Sequence, residues 1–154
     1  MQRTFPHGLR IHVQERVPVA WIAVPNEDDC LILADGGVIV PGGCESRDGL
    51  IELAGLELSE ETAPGTRLLD EHVADLIDRL KGDIPSIMSI RRIEVSDPSS
   101  VTLDADSGLR VLLGEIDACA QRVDALAALS RTIDLERYRL IDLRLEGEAR
   151  LVTW

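Results

Sequence analysis

Only two stretches of this chain carry apolar residues at helical spacing; most of its other apolar residues fall in short runs cut by Gly, Pro or Asp. That pattern restricts the fold to two helices among many short strands. Over residues 69–81, Val73, Leu76, Ile77 and Leu80 share one face, Asp70 and Glu71 suit the first turn, and Gly82 suits the end. Over 115–130, Ile116, Cys119, Ala120, Val123, Leu126 and Ala127 share a face in the same way. A helix with a single apolar stripe needs only one buried side. The predicted fold is therefore α+β, a mostly antiparallel β-sheet with two helices packed on one face and a C-terminal edge strand.

The short runs place the strands. Leu9–Gln14 alternates apolar with polar, and an extended run over 15–24 is interrupted by Pro18, which marks a strand start, an edge or a crossing between sheets. Leu31–Leu33 and Val38–Val40 flank Ala34-Asp35-Gly36-Gly37, a hairpin signal that Pro41-Gly42-Gly43 ends. Residues 44–66 are polar and acidic apart from the patch Leu50–Leu56, which predicts a long loop pinned to the core by that patch. Strands are expected over 86–95, 100–104 and 109–113, the last two joined by the turn Asp104–Gly108. Two more, Leu140–Leu145 and Glu148–Thr153, flank Glu146-Gly147. Cys30 and Cys44 bracket the first hairpin, whose symmetry would bring their α-carbons close. A bridge there requires an oxidising compartment and a separation within about 7 Å.

With 28 acidic against 16 basic residues and a net charge of -12, the surface repels phosphate backbones and anionic lipid. Nucleic acid and direct membrane binding by this segment are not expected. Aromatics make up only 3%, which argues for an aliphatic core and against stacked platforms for bases or sugars. No run approaches the roughly 20 apolar residues of a membrane span. His7, His12 and His72 are scattered, no cysteines pair as CxxC, and the carboxylates are dispersed, so no catalytic, cofactor or metal residues are indicated. Asp104-Ala105-Asp106-Ser107-Gly108 lacks the later ligands of a calcium loop and reads as a turn. Cys119 falls on an apolar helix face and reads as a buried small residue.

Taken together, several segments resemble the FtsQ/DivIB bacterial cell-division family. Glu15-Arg16-Val17-Pro18-Val19-Ala20 is similar to that family's ERxPVA-like junction after its POTRA domain, and Leu33–Ile39 to its LVDADGVVF-like hairpin. Leu53-Ala54-Gly55 sits where the family has an LPxLxG-like segment. Ser107–Gly114 is similar to its DGxxVxLG strand, and Ile141-Asp142-Leu143-Arg144 to its VDLR-like strand. Pro98-Ser99 departs from the pattern, standing where the family often carries a basic pair. The resemblance implies a trailing POTRA-like strand over 1–16 and an FtsQ/DivIB-like β-domain over 17–154, with a membrane anchor upstream in the family. It implies a non-enzymatic scaffold without cofactor at the periplasmic or extracytoplasmic face. The partners implied are FtsB/DivIC-like and FtsL-like division proteins, bound by strand addition at the C-terminal edge. Leu145, Glu146, Gly147, Glu148, Ala149, Arg150, Val152 and Trp154 are then the partner-binding residues. The alternative is a stand-alone soluble protein-binding module unrelated to division.

Overall fold

The computed structural model describes residues 11–58, 62–82, 84 and 88–154. Among these, nine strands form one sheet: β1 (Pro18–Ala23), β2 (Cys30–Ala34), β3 (Val38–Val40), β4 (Ile51–Ala54), β5 (Ile90–Glu94), β6 (Val101–Ala105), β7 (Arg110–Gly114), β8 (Tyr138–Asp142) and β9 (Arg150–Thr153). Their order across the sheet is β3-β2-β1-β4-β5-β6-β7-β8-β9. Hairpin neighbours pair antiparallel (β1 with β2, β2 with β3, β5 with β6, β6 with β7, β8 with β9). Parallel pairing joins β1 to β4, β4 to β5 and β7 to β8.

Two of those parallel pairs explain where the helices go. Adjacent parallel strands need a crossover, and here each crossover is a helix. Helix α1 (Glu71–Gly82) carries the chain from β4 to β5, and α2 (Cys119–Ser130) carries it from β7 to β8. The Asp70 carboxylate accepts the Val73 N–H at 3.0 Å and so caps α1. Val73, Leu76, Ile77 and Leu80 of α1 are buried, as are Cys119, Val123, Leu126 and Ala127 of α2. The two helices pack against each other on one face of the sheet, and Arg79 reaches from α1 to Asp124 of α2 at 3.0 Å. Both predicted helices and the one-sided packing are present.

Beneath the helices runs a row of directly opposed apolar residues. Leu53 faces Ile93, Ile93 faces Leu103, Leu103 faces Val111, Val111 faces Ile141, and Ile141 faces Leu151. Every member is buried except the last. The other face of the sheet carries ion pairs over β4–β7. There Arg92 bonds Glu52 and Glu94 at 3.2 and 3.0 Å, and Arg110 grips Asp104 through two bonds of 2.7 and 3.2 Å.

Two expectations change. The patch within the expected 44–66 loop is a central strand, β4: Ile51 and Leu53 point into the core while Glu52 pairs with Arg92 on the open face. That alternation is the signature of a half-buried strand, shortened by the turn glycines around it. The strand expected over Leu9–Gln14 is not formed in its described part. Residues 11–14 pair with no strand among the described residues, and Ile11 and Val13 are 70% and 82% exposed. Leu9 and Arg10 lie outside the described residues.

Cys30 and Cys44 form a disulfide with α-carbons 4.9 Å apart. It ties the loop after β3 back to the start of β2 across a separation of 14 residues. Closing a loop of that size in the unfolded chain stabilises the fold by about 3 kcal/mol. The Cys30→Ala/Cys44→Ala variant should accordingly lose about 2–4 kcal/mol in urea unfolding, and reducing agent should weaken the parent but not the variant.

Candidate functional site

The sheet has two edges, and they are finished differently. At the β3 edge, Ile39 donates to the Thr66 carbonyl at 2.9 Å and accepts from Gly65 at 2.8 Å, while Val38 bridges Arg67. Segment 65–67 therefore closes that side. At the other end β9 pairs with β8 alone, through Tyr138–Thr153, Leu140–Val152, Ile141–Leu151 and Asp142–Arg150. No described strand or loop lies along its outer side, so alternate backbone N–H and C=O groups of β9 face outward.

The register decides what each predicted residue does. Leu151 opposes fully buried Ile141 and stands on the helix face, yet it remains 36% exposed, with no described strand on the outer side of β9. Sequence reasoning left Leu151 out of the site; the missing signal was the register, which assigns the face. Arg150 and half-buried Val152 point to the open face, opposite Asp142 and Leu140. Trp154 lies at the far end of the strand, 69% exposed, with its indole N–H donating to the Glu136 carbonyl at 3.2 Å.

The remaining predicted residues, Leu145 through Ala149, form the turn into β9. Gly147 adopts φ 74°, a left-handed conformation that glycine meets without steric cost. This turn and helix α2 enclose a hollow of about 290 Å³, lined by Gln121, Arg122, Ala125 and Leu129 on the helix side and Leu145 through Ala149 on the other. Arg122 holds the two walls in place: its guanidinium donates to the Leu113 carbonyl and, at 3.2 Å, to the Arg144 carbonyl. The eight predicted residues thus divide into a turn facing α2, two residues on the open face, and an aromatic end. Cys119 is fully buried, and burial pushes its thiol up to about 11, which leaves little thiolate at neutral pH.

Residues 20–144 match the family described as "Cell division protein FtsQ/DivIB, C-terminal". The chain is also similar to the major extracytoplasmic domain of the trans isomer of the bacterial cell division protein DivIB from Geobacillus stearothermophilus. That likeness is at 14% identity and a TM-score of 0.49, covering 79% of this chain and 97% of that one. No curated protein matches the chain.

Where β8 leaves the sheet, Asp142 and Arg144 form a two-bond ion pair at 2.9 and 2.7 Å, with the Arg144 backbone N–H also donating to Asp142 at 3.1 Å. The Arg144 hydrogen bond holds the Asp142 carboxyl below its ordinary value against the opposing effect of burial. A carboxyl with a depressed folded pKa adds stability above its unfolded pKa and loses it as pH falls through the folded one. Thermal melts should therefore show stability dropping as the solution is acidified through the low carboxylate range, and Asp142→Asn should flatten part of that drop.

Proposed function

The chain belongs to the FtsQ/DivIB cell-division family, and on that premise we propose that it is a non-enzymatic extracytoplasmic scaffold of the division complex. It receives a β-strand from an FtsB/DivIC-like partner, itself bound to an FtsL-like protein, along the outer edge of β9. The observation that carries this reading is the asymmetry of the sheet. One edge is closed by segment 65–67, and the other is left open with an apolar residue, Leu151, at the end of the core row. An exposed edge of this kind is an aggregation hazard unless a partner uses it.

Strand addition would extend what is already there. The incoming backbone satisfies the outward groups of β9, giving register through main-chain hydrogen bonds. An apolar side chain opposite Leu151 continues the row Leu103–Val111–Ile141–Leu151 and removes its exposed surface from water. The hollow between α2 and the turn 145–149 receives whatever precedes or follows that strand, and Leu145, 45% exposed, supplies an apolar anchor at its rim. The Cys30–Cys44 disulfide supports an oxidising, extracytoplasmic location. Residues 1–16 are then the trailing piece of a POTRA-like domain, and 17–154 the partner-binding β-domain.

The test is affinity for the FtsB/DivIC-like partner encoded by the same genome, measured by calorimetry. Leu151→Pro should weaken binding by roughly tenfold or more, because proline removes a backbone donor and distorts the edge. Thr102→Ala, on the open face of central strand β6, should leave affinity within about twofold. Unchanged affinity after deletion of residues 148–154 would contradict the reading.

A further inference from the structure

Two irregularities in the sheet place arginines together. Between β5 and β6 the register jumps from Ile90–Ala105 to Arg92–Asp104, so Arg91 is an extra residue on β5. Between β8 and β9 it jumps from Tyr138–Thr153 to Leu140–Val152, so Arg139 is an extra residue on β8. A bulge of this kind sets two residues against one and re-aims the side chain of the extra residue. Both extra arginines are exposed, and both line the same hollow of about 440 Å³ together with Arg110, Asp104, Leu140 and Trp154.

The local charge runs against that of the whole chain. In a protein of net charge -12, three arginines here face one carboxylate, Asp104, which Arg110 already grips through two bonds. Neither Arg91 nor Arg139 pairs with a carboxylate among the described residues. Arg139 is nonetheless steered, since its Nε–H donates to the Thr153 carbonyl at 3.2 Å. The Trp154 ring forms one wall, fixed by its bond to Glu136 and by close approach to Gly108, where an added Cβ would lie 3.2 Å from the ring. Beyond Arg91 the face continues into a second hollow holding Arg47, Asp48 and Asp106 beside Trp21, so the cationic surplus belongs to the Trp154 end.

We propose that this hollow docks an acidic peptide segment of a protein partner, carboxylates on Arg91, Arg110 and Arg139 and a side-chain stem against Trp154. Guanidinium forks match carboxylates in two-bond geometry, and the indole face and Leu140 provide the apolar shelf that a glutamate stem uses. An anionic lipid surface would have to approach the repulsive field of the whole chain, whereas a peptide meets only the hollow. The site lies on the open face of the sheet and does not depend on strand addition at β9.

Tryptophan fluorescence offers a direct readout, because Trp154 is a wall of the site. Titration with an octaglutamate peptide at low salt should give a saturable change that weakens as salt rises. Arg91→Ala/Arg139→Ala should weaken binding by about tenfold or more, while Arg91→Lys/Arg139→Lys retains part of it and Arg47→Ala most of it. The proposal is overturned if octaglutamate causes no change, if the double alanine variant binds as the parent does, or if the Arg47 variant loses as much. It is equally overturned if inorganic phosphate or phosphatidylglycerol vesicles bind as tightly as the peptide, since the site would then be a general anion patch.

Discussion

The row of apolar residues running from Leu53 through Ile93, Leu103, Val111 and Ile141 to Leu151 organises this domain. Each member opposes the next directly across the sheet, so the register of every strand from β4 to β9 is fixed by the same contact. A slip of one residue in any of them would turn its buried side chain to the open face and bring a charged or polar one under the helices. The helices cover this row because each is the crossover between neighbouring parallel strands, and both crossovers pass on the same side. The row has no natural stop at β9. It ends at a leucine that is only partly buried, on a strand with one partner.

The opposite edge shows what a finished edge looks like in the same molecule. There the short strand β3 is bracketed by segment 65–67, and the disulfide holds the loop that follows it. The open face is stabilised by pairs whose members are part exposed, such as Arg110–Asp104 and Arg92–Glu94, and each is worth little alone. Their consequence is positional. They engage Arg92 and Arg110, whereas the bulged arginines Arg91 and Arg139 pair with no carboxylate among the described residues.

Much of this was legible in the sequence. The helices were visible because their stripes run the length of an element, and the first hairpin because Asp-Gly marks its turn. The placement of Cys30 and Cys44 about that turn left a bridge open without deciding it, and the structure forms it. Strand β4 was hidden because four residues give only two core positions, Ile51 and Leu53, which reads as a pinned loop. Residues 11–14 misled in the opposite way, since alternation records a capacity to pair and not the presence of a partner. Within the site, Leu145 to Ala149 form the turn into β9 and one wall of the hollow beside α2. Leu151 and the two bulges were not readable, because they depend on the exact register between hairpin strands, and the facing wall of α2 depends on how the helix packs.

The proposed use of β9 is as an open edge for strand addition. Hydrogen exchange at the β9 amides, with and without the FtsB/DivIC-like partner, tests it most directly. In the isolated domain, the outward-facing amides of Arg150–Thr153 should exchange far faster than those of the central strands β6 and β7. Partner addition should slow them strongly while leaving the already closed β3 edge unchanged. Slow exchange at β9 in the isolated domain, or protection by the partner that falls elsewhere and spares β9, would contradict the account.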